Sequence, residues 1–211
     1  MLLAVHIADG SLMPITLGLG LVCMVPLLLL GWFHLEEKDV ARTGVLTAVL
    51  FVASLIHPPI PGAKVHLLLN AMAGILLGRH AGLAVTVALV LQALLLSHGG
   101  LYAVGVNSTT IGLPAVLVAF LYAVLRRAMG LNTRWKRYII GGGLAFVGVM
   151  GTLVLYYLTM RFGSIQDEDL SLLASIAFVW HIPVLIIEII FTALLVDFLY
   201  KIKPELLGVR H

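Results

Sequence analysis

Hydrophobic positions fill long stretches of the chain, and the stretches are separated at charged or Pro/Gly-rich breaks. A helix that crosses a membrane needs about 20 consecutive apolar residues, because the hydrocarbon core is about 30 Å thick. The breaks therefore predict seven spans, at residues 12–34, 41–57, 66–79, 81–97, 109–129, 137–160 and 181–202. The third is short enough to be a half-length or tilted helix. The pattern predicts an all-α, polytopic membrane helix bundle.

The composition agrees with this pattern: 61% of the 211 residues are hydrophobic, 11% are charged, and the mean hydropathy is +1.11. These values exclude a water-soluble globule. We predict one integral membrane domain over residues 1–211, with an external segment at 1–11, a transmembrane bundle at 12–202 and a cytoplasmic tail at 203–211. The single cysteine, Cys23, lies within an apolar run, so an intrachain disulfide is excluded.

Positive charge orients the predicted bundle, because Lys and Arg accumulate in cytoplasmic loops. One side carries only Lys64 and Arg161, and the other carries Lys38, Arg42, Arg79, Arg126, Arg127, Arg134, Lys136, Arg137, Lys201, Lys203 and Arg210. The N-terminus is predicted outside and the C-terminus in the cytoplasm, in the inner (plasma) membrane. The pI near 9.2 does not indicate nucleic acid as a partner, because the basic residues lie at span ends.

The topology sorts the eight histidines into two groups. His34, His80 and His211 fall inside, whereas His6, His57, His66, His98 and His181 fall at external span ends, where a bundle brings them together. Imidazole is a natural ligand for nickel, cobalt, copper and zinc. For His57 and His181 a hydrogen-bonded role at the interface is favoured. The acidic cluster Asp167, Glu168 and Asp169 is interpreted as a solvated external loop rather than a metal site.

His6 and His66 are the predicted metal ligands. A histidine next to a free amino terminus chelates through the amine, its own amide nitrogen and its imidazole, in the square-planar arrangement that suits Ni(II). His66 opens the short span on the same side and would complete the plane. Asn70 lies four residues later on the same helical face. It either orients a ligand or bonds another helix, and the sequence does not separate these roles.

Several motifs occur in a specific order along nearly the whole chain. They are His6-Ile-Ala-Asp-Gly10, Val65-His-Leu-Leu-Leu-Asn70, Gln92-Ala-Leu-Leu95 running into His98-Gly-Gly-Leu101, Gly105-Val-Asn107, His181-Ile-Pro183 with Glu188, and Lys203-Pro-Glu-Leu-Leu207. On these residues the chain resembles the substrate-binding membrane subunit of energy-coupling-factor cobalt and nickel importers, the CbiM/NikM type.

The resemblance implies how the protein works. The cargo would be Co²⁺ or Ni²⁺, held by the amine before His6, hence by Val5, and by the imidazoles of His6 and His66. Gln92, His98 and Asn107 would shape or close the pocket, with Asn107 in a loop at residues 105–110. The implied partners are a transmembrane coupling subunit, cytoplasmic ATPase subunits and in some systems a small accessory membrane subunit. This chain would hydrolyse no ATP and hold no resident cofactor.

Two features depart from the family pattern. In the family the histidine directly follows the initiator methionine, whereas Met1 to Val5 precede His6 here. We expect the working protein to begin at Val5, through an alternative start or cleavage after Ala4. Lys64 also stands two residues before His66, which is an awkward charge beside a cation.

Other polar residues within the spans leave alternatives open. Glu188 lies two turns beyond His181 and either stabilises a cation or a partner helix, or pairs within the bundle. Asp197 and Lys201 form a predicted structural i,i+4 pair.

Three other functions compete with metal capture. They are a vitamin-binding subunit of the same transporter class, an intramembrane enzyme, and a purely structural membrane partner. A vitamin-binding subunit requires an aromatic-lined pocket for its organic ligand. An intramembrane metalloprotease requires the motif His-Glu-x-x-His, which the sequence lacks. Metal binding by imidazole predicts that affinity falls with pH through about 6.5.

Overall fold

The computed structural model describes residues 6–33, 35–57, 65–165 and 167–209, and the side chains of residues 167–175 are not among those described. Val5, His34, Lys64 and His211 lie outside the described residues, as do the side chains of the acidic cluster at 167–169. The predictions made for these side chains therefore remain predictions. The prediction that residues 167–169 form a loop is wrong, because their backbone begins the helix Asp167–Ile202.

The described residues form α-helices, with no β-structure among them beyond an isolated bridge between Leu12 and Ser164. The helices are α1 Pro14–Trp32, α2 Glu37–Ala53, α3 Asn70–Leu77, α4 Ala81–Leu96, α5 Val104–Met129, α6 Arg134–Gly163 and α7 Asp167–Ile202, and short 3₁₀ turns follow α3 at Gly78–His80 and α7 at Pro204–Leu207. Helix α1 begins two residues later than the predicted span because Pro14 occupies its first turn, where a missing N–H costs nothing.

By length and composition alone, five helical stretches among the described residues could cross a membrane: Pro14–Trp32, Asn70–Leu96, Val104–Met129, Arg134–Gly163 and Ile176–Ile202. The second of these contains α3, the turn at Gly78–His80 and α4. Large apolar side chains such as Phe120 and Phe162 lie exposed on the five stretches, as expected of surfaces that face lipid. The protein is a multi-pass membrane protein. The count of seven spans and the orientation of the termini stay predictions.

Helices α3 and α4 form a hairpin. His66 precedes α3 and His98 follows α4, yet their ring centres are 5.2 Å apart, so the two helices run in opposite directions. Gly78, at φ +58°, begins the turn between them. Helix α3 has eight residues and is therefore about 12 Å long, which is the half-length element that the sequence allowed.

The two ends of the bundle differ in chemistry. One end gathers His6, His66 and His98. At the other end, the imidazole of His80 bonds the carbonyl oxygen of Gly31 at 2.7 Å, and Arg42 donates to the carbonyl oxygen of Leu206 at 2.7 Å. Asp197 accepts hydrogen bonds from Lys201, as predicted, and from Arg137 as well, both at 2.7 Å. The cationic end thus lies opposite the imidazole end.

Candidate metal site

Three imidazoles meet at one end of the bundle. Among the described residues, the His, Cys, Asp and Glu side chains close enough to share one ion are His6, His66 and His98, with donor nitrogens all within 4.8 Å of one another. The ring centres of His6 and His66 are 4.7 Å apart, although these residues are 60 positions apart in the chain. The structure thus brings together the two ligands that the sequence predicted, and adds His98.

Burial keeps the three imidazoles neutral. Burial is the largest cause that lowers the pKa of His6 well below its ordinary value, and the nearby His66, His98 and His181 lower it further. Burial also lowers the pKa of His66 to about 3, against the opposing effect of its hydrogen bond to Leu67. The pKa of His98 is lowered by burial and then by His57. Neutral imidazoles offer lone pairs to a metal ion.

The N-terminal segment is fixed by a side chain of α5. The N–H of Ile7 donates to Oδ1 of Asn107 at 2.9 Å, and Nδ2 of Asn107 donates to the carbonyl oxygen of Ile7 at 3.0 Å. This pair of bonds holds His6 over the site. The prediction that residues 105–110 form a loop is wrong, because they lie in the first turns of α5, where the hydroxyl of Thr109 bonds back to the carbonyl of Gly105.

The segment after α4 closes against the same N-terminal residues. Oδ1 of Asp9 accepts a hydrogen bond from the N–H of Ala103 at 2.9 Å. Gly99 adopts φ +75°, and a Cβ added at Gly100 would lie 2.6 Å from the backbone nitrogen of Asp9. The two glycines therefore allow the loop that carries His98 to lie directly on the segment that carries His6.

Glu188 of α7 positions the segment that carries His66. Its Oε1 accepts hydrogen bonds from the N–H groups of Leu68 and, at 3.1 Å, Leu69, while Oε2 has no hydrogen-bond partner. Leu69 adopts a left-handed conformation at φ +50° immediately before α3. Of the two roles left open for Glu188, the bond within the bundle is the one that the structure contains.

The remaining predicted residues have different surroundings. Gln92 is buried beside His6 and His66 with its Oε1 unbonded, and lines the same cavity. Asn70 donates to the carbonyl oxygen of Gly148 at 3.1 Å and to the hydroxyl of Thr152 at 2.9 Å, so it bonds α6 and not an imidazole.

Two further histidines, His57 and His181, lie near the three clustered imidazoles. His181 is fully buried, and its Nδ1 bonds the carbonyl oxygen of Ala177 at 2.7 Å. His57 is exposed, with ring centres 6.0 Å from His66 and 6.3 Å from His98.

The cavity beside the imidazoles is small. Its volume is about 20 Å³, and it is lined by His6, His66 and Gln92 together with apolar residues that include Leu50 and Ile111. A space of this size admits about one water-sized species. It suits an ion and is far smaller than the pocket that an organic vitamin needs.

Known proteins are similar to this chain in sequence and in fold. The family model described as cobalt uptake substrate-specific transmembrane region matches residues 6–206. A protein of Haemophilus influenzae named putative metal transport protein is 33% identical over 96% of this chain and 97% of its own length. A protein of Archaeoglobus fulgidus named putative fused nickel transport protein NikMN is 27% identical over 96% of this chain and 68% of its own length. A crystal structure of a transition metal transporter superposes with a TM-score of 0.74 at 26% identity and covers 93% of each chain.

Proposed function

The chain belongs to the family of cobalt uptake substrate-specific transmembrane proteins, and we propose that it captures Co²⁺ or Ni²⁺ at the extracellular face for import. The observation that carries the proposal is the convergence of the His6 and His66 imidazoles at one end of the bundle. Nε2 of His66 and both ring nitrogens of His6 are buried without a hydrogen-bond partner. A buried polar atom without a partner is costly, and a metal ion would satisfy these nitrogens.

The proposed ligands are the imidazoles of His6 and His66. In a chain that begins at Val5, the terminal amine adds a third nitrogen next to His6. Asn107 and Asp9 fix the N-terminal segment over the ion, and Glu188 fixes the segment that carries His66. Gln92 completes the wall of the cavity.

Import would need partner proteins, as the resemblance to energy-coupling-factor importers implies. We propose a transmembrane coupling subunit and cytoplasmic ATPase subunits, with an accessory membrane subunit in some assemblies. ATP hydrolysis in these partners would drive release of the ion toward the cytoplasm. The resemblance to energy-coupling-factor importers supports this assignment, and so does the name of the Archaeoglobus fulgidus relative, which describes a fused nickel transport protein.

Metal titration of the purified protein tests the proposal. We expect His66→Ala to abolish binding of Co²⁺ and Ni²⁺, whereas His80→Ala, which removes a buried imidazole from the opposite end, should leave it intact. If the His66→Ala protein binds both ions as tightly as the parent, the site assignment is wrong.

A further inference from the structure

The three clustered imidazoles surround a point rather than lying in a row. Their ring centres are 4.7 Å apart for His6 and His66, 4.7 Å for His6 and His98, and 5.2 Å for His66 and His98. The three separations are nearly equal, so the rings occupy the corners of an almost regular triangle.

Such a triangle does not fit three ligands in one plane. With nitrogens about 2.0–2.1 Å from an ion, ring centres lie roughly 3.2 Å from it. Three ligands of a square plane then give two separations of roughly 4.5 Å and one of roughly 6.4 Å. Three ligands that share one face of the ion all stand roughly 4.5 Å apart at right angles and roughly 5.2 Å apart in a tetrahedron. The observed values lack the long separation and fall in the range of ligands on one face.

Each of the three rings has a nitrogen free to bind. Nε2 of His98 and Nε2 of His66 are buried without a partner, and Nδ1 of His66 is engaged with the carbonyl oxygen of Leu67 at 2.8 Å. Both nitrogens of His6 are free. A residue that only closed the pocket would not need a buried, unbonded nitrogen within 4.8 Å of the nitrogens of the other two imidazoles.

We propose that His98 is a direct metal ligand, and that the imidazoles of His6, His66 and His98 bind the ion from one face in a non-planar site. This inference rests on the proposed function, because it concerns the same ion. Three imidazoles on one face leave the other side of the ion open to further small ligands.

The experiment uses the full chain, purified in detergent and titrated with Co²⁺ and with Ni²⁺. We expect bound Co²⁺ to absorb visible light and bound Ni²⁺ to remain paramagnetic, because a ligand outside the plane removes the square-planar geometry in which Ni²⁺ is diamagnetic. His98→Ala should weaken Co²⁺ binding by about tenfold or more and change this absorption. His57→Ala removes a nearby imidazole outside the triangle and should change neither.

The outcomes separate the two proposals. If His66→Ala abolishes binding while His98→Ala keeps the parent affinity and absorption, the inference is overturned and the proposed function stands. Diamagnetic bound Ni²⁺ overturns it as well, because it indicates a square-planar site without His98. Unchanged binding in both variants overturns the proposed function too. Thermal unfolding of the metal-free variants identifies any variant that has lost its fold. In that event the magnetism of Ni²⁺ bound to the parent protein decides whether the site is planar.

Discussion

His66 donates its Nδ1 proton to the carbonyl oxygen of Leu67, and this bond decides which of its nitrogens faces His6 and His98. With the proton on Nδ1, the lone pair lies on Nε2, which has no partner within the protein. A backbone bond to the other nitrogen is a common way of orienting an imidazole that binds metal. The tautomer of His66 is thus set by its own sequence neighbour before any ion arrives.

Burial of these imidazoles predicts how metal binding responds to acid. Protons compete with the metal only at pH values near or below each imidazole's own pKa, and burial lowers the pKa of His66 from the ordinary value of about 6.5 to about 3. In place of the loss through about pH 6.5 that the sequence alone predicts, we therefore expect the affinity for Co²⁺ to change little from about pH 7 to about 5.5, and to fall in more acidic solution. Titrations across this range check the prediction. A tenfold loss centred near pH 6.5 would show that the imidazoles titrate as exposed ones.

Gly100 tests the contact between the loop that carries His98 and the N-terminal segment. An alanine Cβ there would overlap the carboxylate and the backbone of Asp9, so the loop would have to move away from His6. We expect Gly100→Ala to weaken Co²⁺ binding by about tenfold, the scale of losses from misplaced metal ligands. Gly143→Ala is the matched control, because its Cβ would meet open space on α6. Equal affinities for the two variants would contradict the packing argument.

At the scale of the elements, α7 supports the site through a single carboxylate. Glu188 accepts the N–H groups of Leu68 and Leu69, which the left-handed turn before α3 leaves unpaired. The sequence identified Glu188 as an unusual charge in a span. Its role was not predictable, because the pairing with residues 68 and 69 spans about 120 positions and depends on the approach of α7 to the α3–α4 hairpin.

Glu188→Ala should release the segment that carries His66. It would leave two buried N–H groups without an acceptor, at about 1–3 kcal/mol each. We expect Glu188→Ala to weaken Co²⁺ binding, and Glu188→Gln, which keeps a carbonyl acceptor, to retain most of it. Asp197→Asn changes another buried acid on the same helix at the far end and should leave the metal affinity unchanged. Parent-like binding by Glu188→Ala would exclude the positioning role.

The elements also show where sequence reasoning succeeds and where it fails. Apolar runs located α3 and α4 to within a few residues at each end, because a membrane imposes the length of its helices. They placed the start of α7 at residue 181, whereas the helix begins at Asp167. The start of α5 was missed, because Asn107, Ser108 and Thr109 read locally as a loop. In the fold, Asn107 bonds a segment that lies 100 positions away, and Thr109 bonds within its own helix.

At the scale of the whole molecule, chemistry is divided between the two ends. Among the described residues, Arg161 is the Lys or Arg that the sequence assigns to the imidazole end, whereas the opposite end holds Arg42, Arg126 and Arg137 against the C-terminal turn and α7. An uncharged, concave site surrounded by few cations suits the arrival of a metal ion. The same asymmetry predicts the orientation in the membrane, because the cationic end should remain in the cytoplasm.

Labelling of single cysteines in intact cells tests this orientation. In a Cys23→Ser background, Leu101→Cys places an exposed thiol at the imidazole end and Trp135→Cys places one at the cationic end. We expect a membrane-impermeant maleimide added outside to label residue 101 and not residue 135, because only the imidazole end should face the exterior. Permeabilised cells provide the control, since both thiols should then react. Labelling of residue 135 alone in intact cells would show the opposite orientation in the membrane. The imidazole end would then face the cytoplasm, which contradicts capture of metal from outside.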